Sequence, residues 1–432
     1  MRILHKTILL GLVLLFIINC SKDDALVPTP TSQEPQNVAP QIENQEFTIS
    51  ESITEGTSIG TIIAKDTDED VLTYSIIIND NELFDLSPEG ALSLATTKEI
   101  NYDIAQAHTI TVSVSDGTTT TSATITINVT NVANVYLVGS LNGKGIVLKD
   151  GEDITPSILE NESNTIVDLS VQGNDIYVIS TETLYKNNTA INIINNISNV
   201  SFLSDMHIIG EDVYICGNEK ISGTSIARVW RNGNPINLSN GNNEAYALSV
   251  FVEGTDVYVA GFADSSSSMN NTAVVWKNGT ITELTDGSSS SMANAVYVRN
   301  GDVYVAGYDT TGGGGAQVAL WKNNTKINLS NGNHSIANDI YVTEDNDIYT
   351  CGYETIGQVL HPKVWRNNEE TNLASSIGGE ILAATKVSVF EDDVYVLGRA
   401  INPQTNMKES TIWKNGEATY MGNLKIRSLF IK

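Results

Sequence analysis

After residue 40 the chain alternates apolar and polar residues almost one by one, which is the period of a half-buried strand. Between residues 46 and 130, six alternating segments follow at short intervals: 46–51, 60–66, 71–78, 91–96, 108–116 and 122–130. Gly, Asp and Asn separate them, and these residues turn a chain readily. Six or seven short strands in about a hundred residues predict a β-sandwich over 38–133.

From residue 135 the alternation gains a second, longer period. The run Val303-Tyr304-Val305-Ala306-Gly307 has seven counterparts, itself included, starting at Val135, Ile176, Val213, Val257, Val303, Ile348 and Val394. A second mark, Trp321-Lys322-Asn323-Asn324, also recurs seven times. Its large residue is Leu148, Tyr185, Trp230, Trp276, Trp321, Trp365 or Trp413. The five Trp lie 44 to 48 residues apart, the size of a four-stranded propeller blade. The clearest copy predicts strands at 293–298, 302–308, 317–322 and 325–329. Asn300-Gly301 and Asn278-Gly279 carry the signal of a tight hairpin. The Trp is best explained as packing between blades, since Leu and Tyr replace it in the weaker copies.

No strand precedes Val135 within its own unit, whereas 426–431 matches the first strand of the others. The C-terminal strand is therefore expected to complete the first blade and remove the open edges. The long, variable connections, such as 263–272 and 309–316, fall on one face of such a ring. A binding surface is expected on that long-loop face.

The N-terminus reads differently. Arg2 and Lys6 precede an apolar run from Ile8 to Ile18, too short at about 1.5 Å per residue for a bilayer core of about 30 Å. Residues 1–19 are expected to be a signal peptide. Phe16-Ile17-Ile18-Asn19-Cys20 resembles a lipobox, which implies lipidation at Cys20. Ser21-Lys22-Asp23-Asp24 resembles the export signal that sends some Gram-negative lipoproteins to the outer face of the outer membrane. Residues 20–37, rich in Pro, Thr, Ser and Gln, read as a disordered tether.

Charge narrows the partners. With 24 Lys and Arg against 51 Asp and Glu, the net charge is −27, which repels nucleic acid and anionic lipid. Such a surface suits divalent cations.

The sandwich segment resembles a cadherin repeat. Phe47-Thr48-Ile49-Ser50-Glu51 matches its opening strand, Ala64-Lys65-Asp66-Thr67-Asp68 its Ala-x-Asp-x-Asp segment, and Val112-Ser113-Val114-Ser115-Asp116 its late acidic strand end. Asn101-Tyr102-Asp103 sits where the family has Asp-x-Glu. The resemblance implies calcium binding by Asp66, Asp68 and Asp116 at one end, and by Glu51, Asn101 and Asp103 at the other. Asn131-Val132-Ala133-Asn134 replaces the family's acidic linker, so the implied affinity is lower. The alternative reading makes these Asp residues turn formers.

The expected fold is thus all-β: a cadherin-like β-sandwich, then a seven-bladed β-propeller over 135–432 closed by the C-terminal strand. No catalytic residue set emerges. His5, His108, His207, His334 and His361 show neither metal-ligand spacing nor a Ser/His/Asp order. Cys216 and Cys351 occupy equivalent repeat positions and read as small buried residues, not a disulfide. The leading function is a non-catalytic lipoprotein of the outer membrane, exposed at the cell surface, for adhesion or recognition of a protein or glycan. The competing function is a propeller enzyme acting on polysaccharide, as a lyase or hydrolase.

Overall fold

The computed structural model describes residues 36–102, 104–160, 166–181, 183–191, 200–264, 270–310, 315–329, 334–357, 359–373 and 382–432. The expected signal peptide, Cys20, most of the expected tether and Asp103 lie outside them. The chain divides into two compact units, with the boundary between Val132 and Ala133. Both are built from strands, and among the described residues no helix is long and apolar enough to cross a membrane.

Among its described residues the first unit has nine strands: β1 (Gln41–Ile42), β2 (Gln45–Ser50), β3 (Ser58–Thr61), β4 (Ala64–Lys65), β5 (Thr73–Asn79), β6 (Phe84–Leu86), β7 (Ala91–Leu94), β8 (Ala107–Ser115) and β9 (Thr120–Thr130). One sheet has the order β2-β9-β8-β5, with β2 parallel to β9, and a second has the order β3-β7-β6. β1 pairs with β4. The alternation in β8 puts Ile110, Val112 and Val114 inward, and that in β9 puts Ile125, Ile127 and Val129 inward. They meet Phe84, Leu92 and Leu94 of the other sheet in a single apolar core. The last turn of this unit feeds Ala133, which packs within the second unit instead of the first.

The second unit holds seven four-stranded antiparallel sheets among the described residues. In the fifth, the strands are Ser291–Arg299, Asp302–Asp309, Gln317–Lys322 and Thr325–Asn328, close to the spans the sequence predicts. The hairpin turns have the left-handed backbone that Asn-Gly was expected to supply: φ is 53° at Asn300 and 81° at Gly301. The first sheet is completed by the C-terminal strand Lys425–Ile431, which pairs antiparallel with Val135–Leu141. The first strand of each sheet lies beside that of the next, and Lys425–Ile431 neighbours both Ile166–Gln172 and Ala384–Phe390. These seven are called the inner strands below.

The two repeated marks are scaffold. Trp276, Trp321, Trp365 and Trp413 are fully buried and Trp230 nearly so. Trp276 of the fourth sheet packs on Tyr214, Cys216 and Val229 of the third, and Trp321 packs likewise on the fourth. Tyr185 and Leu148 fill the same buried role. The Lys-Asn that follows Trp321 closes a polar clasp. Asn323 donates to Asp302 and accepts from the Val303 amide, while Lys322 pairs with Asp302 at 2.8 Å. The same clasp recurs at Asp256/Lys277/Asn278 and Asp393/Lys414/Asn415.

Each inner strand carries an irregularity in register, for example between Ala293 and Ala295. It pushes a backbone carbonyl toward the neighbouring strand. The glycine that ends each Val-Tyr-Val-Ala-Gly run accommodates it. A Cβ on Gly307 would lie 1.9 Å from the Met292 carbonyl oxygen, and one on Gly261 1.8 Å from that of Tyr246. The second sheet differs and has buried Ser180 at this position. Cys216 and Cys351 are buried free thiols, in line with their reading as core residues.

Candidate functional site

At one end of the first unit, the residues after β4 fold into a tight acidic loop. Asp66 Oδ1 accepts hydrogen bonds from the amides of Asp68 at 2.8 Å and Asp70 at 3.3 Å. This self-bonding curls the loop and gathers the carboxylates of Asp66, Asp68 and Asp70, each offering an oxygen within 4.8 Å of the others. The second oxygen of Asp66 is buried and has no hydrogen-bond partner. A buried carboxylate oxygen without a donor is costly. A hard cation beside it would remove that cost, so the donor set fits calcium's preference for carboxylate oxygens.

The residues named from sequence are placed as follows. Asp68 Oδ2 accepts from the Val38 amide at 2.6 Å. Asp116 accepts from the Asn37 side chain at 2.9 Å, so the two carboxylates tie down adjacent residues of the entering chain. Asp116 also accepts from the amides of Thr118 and Thr119 and from the Thr119 hydroxyl. The bond from the Thr119 amide, then the Asn37 side chain and the other donors, holds its carboxyl well below the usual range. Asp70 was not anticipated. It stands two residues beyond Asp68, and the repeated Asp-x-Asp-x-Asp spacing was its available signal.

At the opposite end, Glu51 accepts from the Tyr102 amide at 3.1 Å and from the Val132 amide at 2.9 Å. Glu51 thus joins the 101–102 loop to the end of the unit. The Asn101 carbonyl accepts from the Ile104 and Ala105 amides, closing a turn. With Asp103 outside the described residues, Glu51 is seen here as a tie between segments and Asn101 as part of a local turn.

The second unit holds a site that the sequence did not reveal. One residue past each irregularity, the inner strands present Ser428, Asp168, Asp205, Ser249, Ala295, Asp339 and Lys386 in sheet order. Five of them bond to the next sheet, beginning with Ser428, which donates to Asp168. Asp168 accepts from the Met206 amide, Asp205 from Val250, Ser249 from Val296 and Asp339 from Val387. Alanine at 295 interrupts the row. Lys386 sits among the three aspartates, with Nζ 3.6 Å from Asp205 Oδ1, and its side chain keeps 30% of its surface open.

Burial dominates the electrostatics of this layer. It pushes the Asp339 carboxyl up to about 6 against the pull of Lys386. Asp168 is also raised, by burial first and by the neighbouring Asp205, against the pull of Lys386. Burial works in the same sense on Asp205, but Lys386 and the bonds from Asp168, Val250 and Ser249 outweigh it and hold Asp205 low. Burial alone would lower Lys386, yet the three carboxylates raise it well above its ordinary value.

This layer floors a cavity of about 410 Å³ in the half of the inner strands that runs toward their first hairpin turns. Two residues further along the strands, His207, Phe251, Tyr297 and Tyr341 form one wall. Adjacent ring centres are 4.5, 4.6 and 5.2 Å apart, at tilted angles that curve the wall. The expected long-loop face is the other end of the sheets. Of its polar groups, Asp309 is buried against Lys326, and Ala316 donates to His334 Nδ1.

Residues 45–130 match the family model of the cadherin domain. Among solved structures, human mucin-like protocadherin EC1-2 is 21% identical over 22% of this chain and 54% of its own, with a TM-score of 0.20. Drosophila N-cadherin EC1-3 is 25% identical over 22% of this chain and 35% of its own, with a TM-score of 0.21. The chain therefore spans about half of the first structure and about a third of the second. The computationally designed Ika8 protein is 15% identical over 69% of this chain and 87% of its own, with a TM-score of 0.42. No curated protein matches the chain. The first unit thus contains a cadherin-like domain.

Proposed function

We propose that the protein is a non-catalytic cell-surface lipoprotein for adhesion or recognition, whose seven sheets are the blades of a β-propeller. The observation that carries this reading is the cadherin domain at 45–130, a module suited to extracellular recognition. In this reading, lipid on Cys20 anchors the chain in the outer membrane and residues 20–37 act as a tether. The pairing of Lys425–Ile431 with Val135–Leu141 supports closure of the propeller by its C-terminal strand. The long-loop face presents the binding surface for a protein or glycan.

Calcium would be held by Asp66, Asp68 and Asp70. It would supply positive charge to a loop that otherwise concentrates three carboxylates. Asp116 would contribute by fixing Asn37 beside the loop.

The test is protease treatment of intact cells that express the full chain. Surface exposure gives clipping without lysis. A Cys20→Ser variant should be released from the membrane fraction. Full protection, or unchanged membrane association of the variant, would overturn the anchoring.

A further inference from the structure

We propose that the cavity among the inner strands of the second unit binds a small organic cation of the ammonium class. The inference is independent of the adhesion reading, because it concerns a different face and a different ligand.

The first argument is shape. At about 410 Å³ the cavity has the size of a small-molecule pocket. Seven strands frame it, so its form does not depend on a mobile loop.

The second argument is the wall. His207, Phe251, Tyr297 and Tyr341 come from four successive sheets and are each only half-buried, so their rings remain accessible from the cavity. Phe251, Tyr297 and Tyr341 give part of their surface to the apolar packing between sheets and part to the cavity lining. Here they form a curved aromatic surface around an open volume. Aromatic faces carry negative potential and attract cations, most strongly where water is excluded.

The third argument is charge. Asp168, Asp205 and Asp339 face the cavity floor against a single cation among the lining residues, Lys386. Each carboxylate already accepts one amide from a neighbouring sheet, which fixes its position without neutralising it. A neutral sugar would stack on the rings but leave the excess negative charge uncompensated. An alkylammonium head satisfies both the rings and the floor.

The experiment is calorimetric titration of the full chain with choline, and with 3,3-dimethylbutan-1-ol, its neutral isostere. Choline should bind at least about tenfold more tightly than the alcohol. Asp339→Asn keeps an acceptor for the Val387 amide while removing charge, and Tyr297→Leu removes one π face. Each should weaken choline binding at least about fivefold, whereas Tyr297→Phe should bind as the parent does. Equal binding of choline and the alcohol overturns the proposal. So does choline binding that is indifferent to both variants, or no choline binding at all. Melting curves of the variants, compared with that of the parent, identify any change that comes from unfolding.

Discussion

Calcium should stabilise the cadherin-like unit through Asp66 and not through Glu51. The reasoning starts from one atom, the buried second oxygen of Asp66, which has no donor. With three carboxylates and no acidic linker, a dissociation constant on the order of 1 mM is expected, as in weak extracellular modules. At about 5 mM calcium, mass action then contributes about 1 kcal/mol. For a unit of under about 100 residues, that raises its melting temperature by about 4–8 °C. The assay is differential scanning calorimetry of the full chain, in chelator and in calcium. Asp66→Asn retains an oxygen for the Asp68 and Asp70 amides but loses a charge, and it should abolish the shift. Glu51→Gln should lower the starting stability, because Glu51 holds the Tyr102 and Val132 amides. It should leave the calcium shift intact. An equal shift in Asp66→Asn, or none in the parent, would refute the argument.

Three further outcomes follow from the second unit. Gly307→Ala should cost several kcal/mol in chemical denaturation, since its Cβ meets a backbone carbonyl at 1.9 Å and the inner strand must move. Alanine at Gly301, an exposed turn with open space around it, should cost about 1 kcal/mol, through its positive φ alone. The third outcome concerns pH. A carboxyl raised from 3.8 to about 6 keeps its proton in the folded state while the unfolded chain releases it, so stability falls as pH rises from about 4 to about 6. Asp339→Asn removes that loss. Relative to the parent, the variant should gain up to about 3 kcal/mol between pH 4 and pH 7. A difference that does not change with pH would show that burial is not what raises Asp339.

Much of the scaffold was legible because it repeats. Trp321, Asn323 and Gly307 each answer a local demand that recurs in sheet after sheet, so counting reveals them. The unpaired first strand was also legible, since the match of 426–431 to the other inner strands points to its partner. The cavity was not legible, for a physical reason. Asp168, Asp205, Asp339 and Lys386 come one to a sheet, and their equivalence depends on an extra residue in each inner strand. Until that irregularity is placed, they look like isolated polar residues in alternating strands. The expectation of a ligand surface on the long-loop face followed loop length, which carries no information about the interior. Asp70 was missed because attention stopped at the matched Ala-x-Asp-x-Asp segment, whereas the loop's self-bonding extends two residues beyond it.

The C-terminal strand has a consequence for the order of events during folding. Ser428 bonds to Asp168 across 260 residues of sequence, and Val135–Leu141 finds its inner partner only in Lys425–Ile431. Sheets two to seven can each form from contiguous chain as it emerges, but the first must wait with an exposed edge. Closing so long a loop is slow and entropically costly. A chain threaded through an export channel from its N-terminus would therefore carry an unpaired strand until the end of translocation. That interval is when a chaperone would be needed, and when pairing with another copy's C-terminal strand would compete.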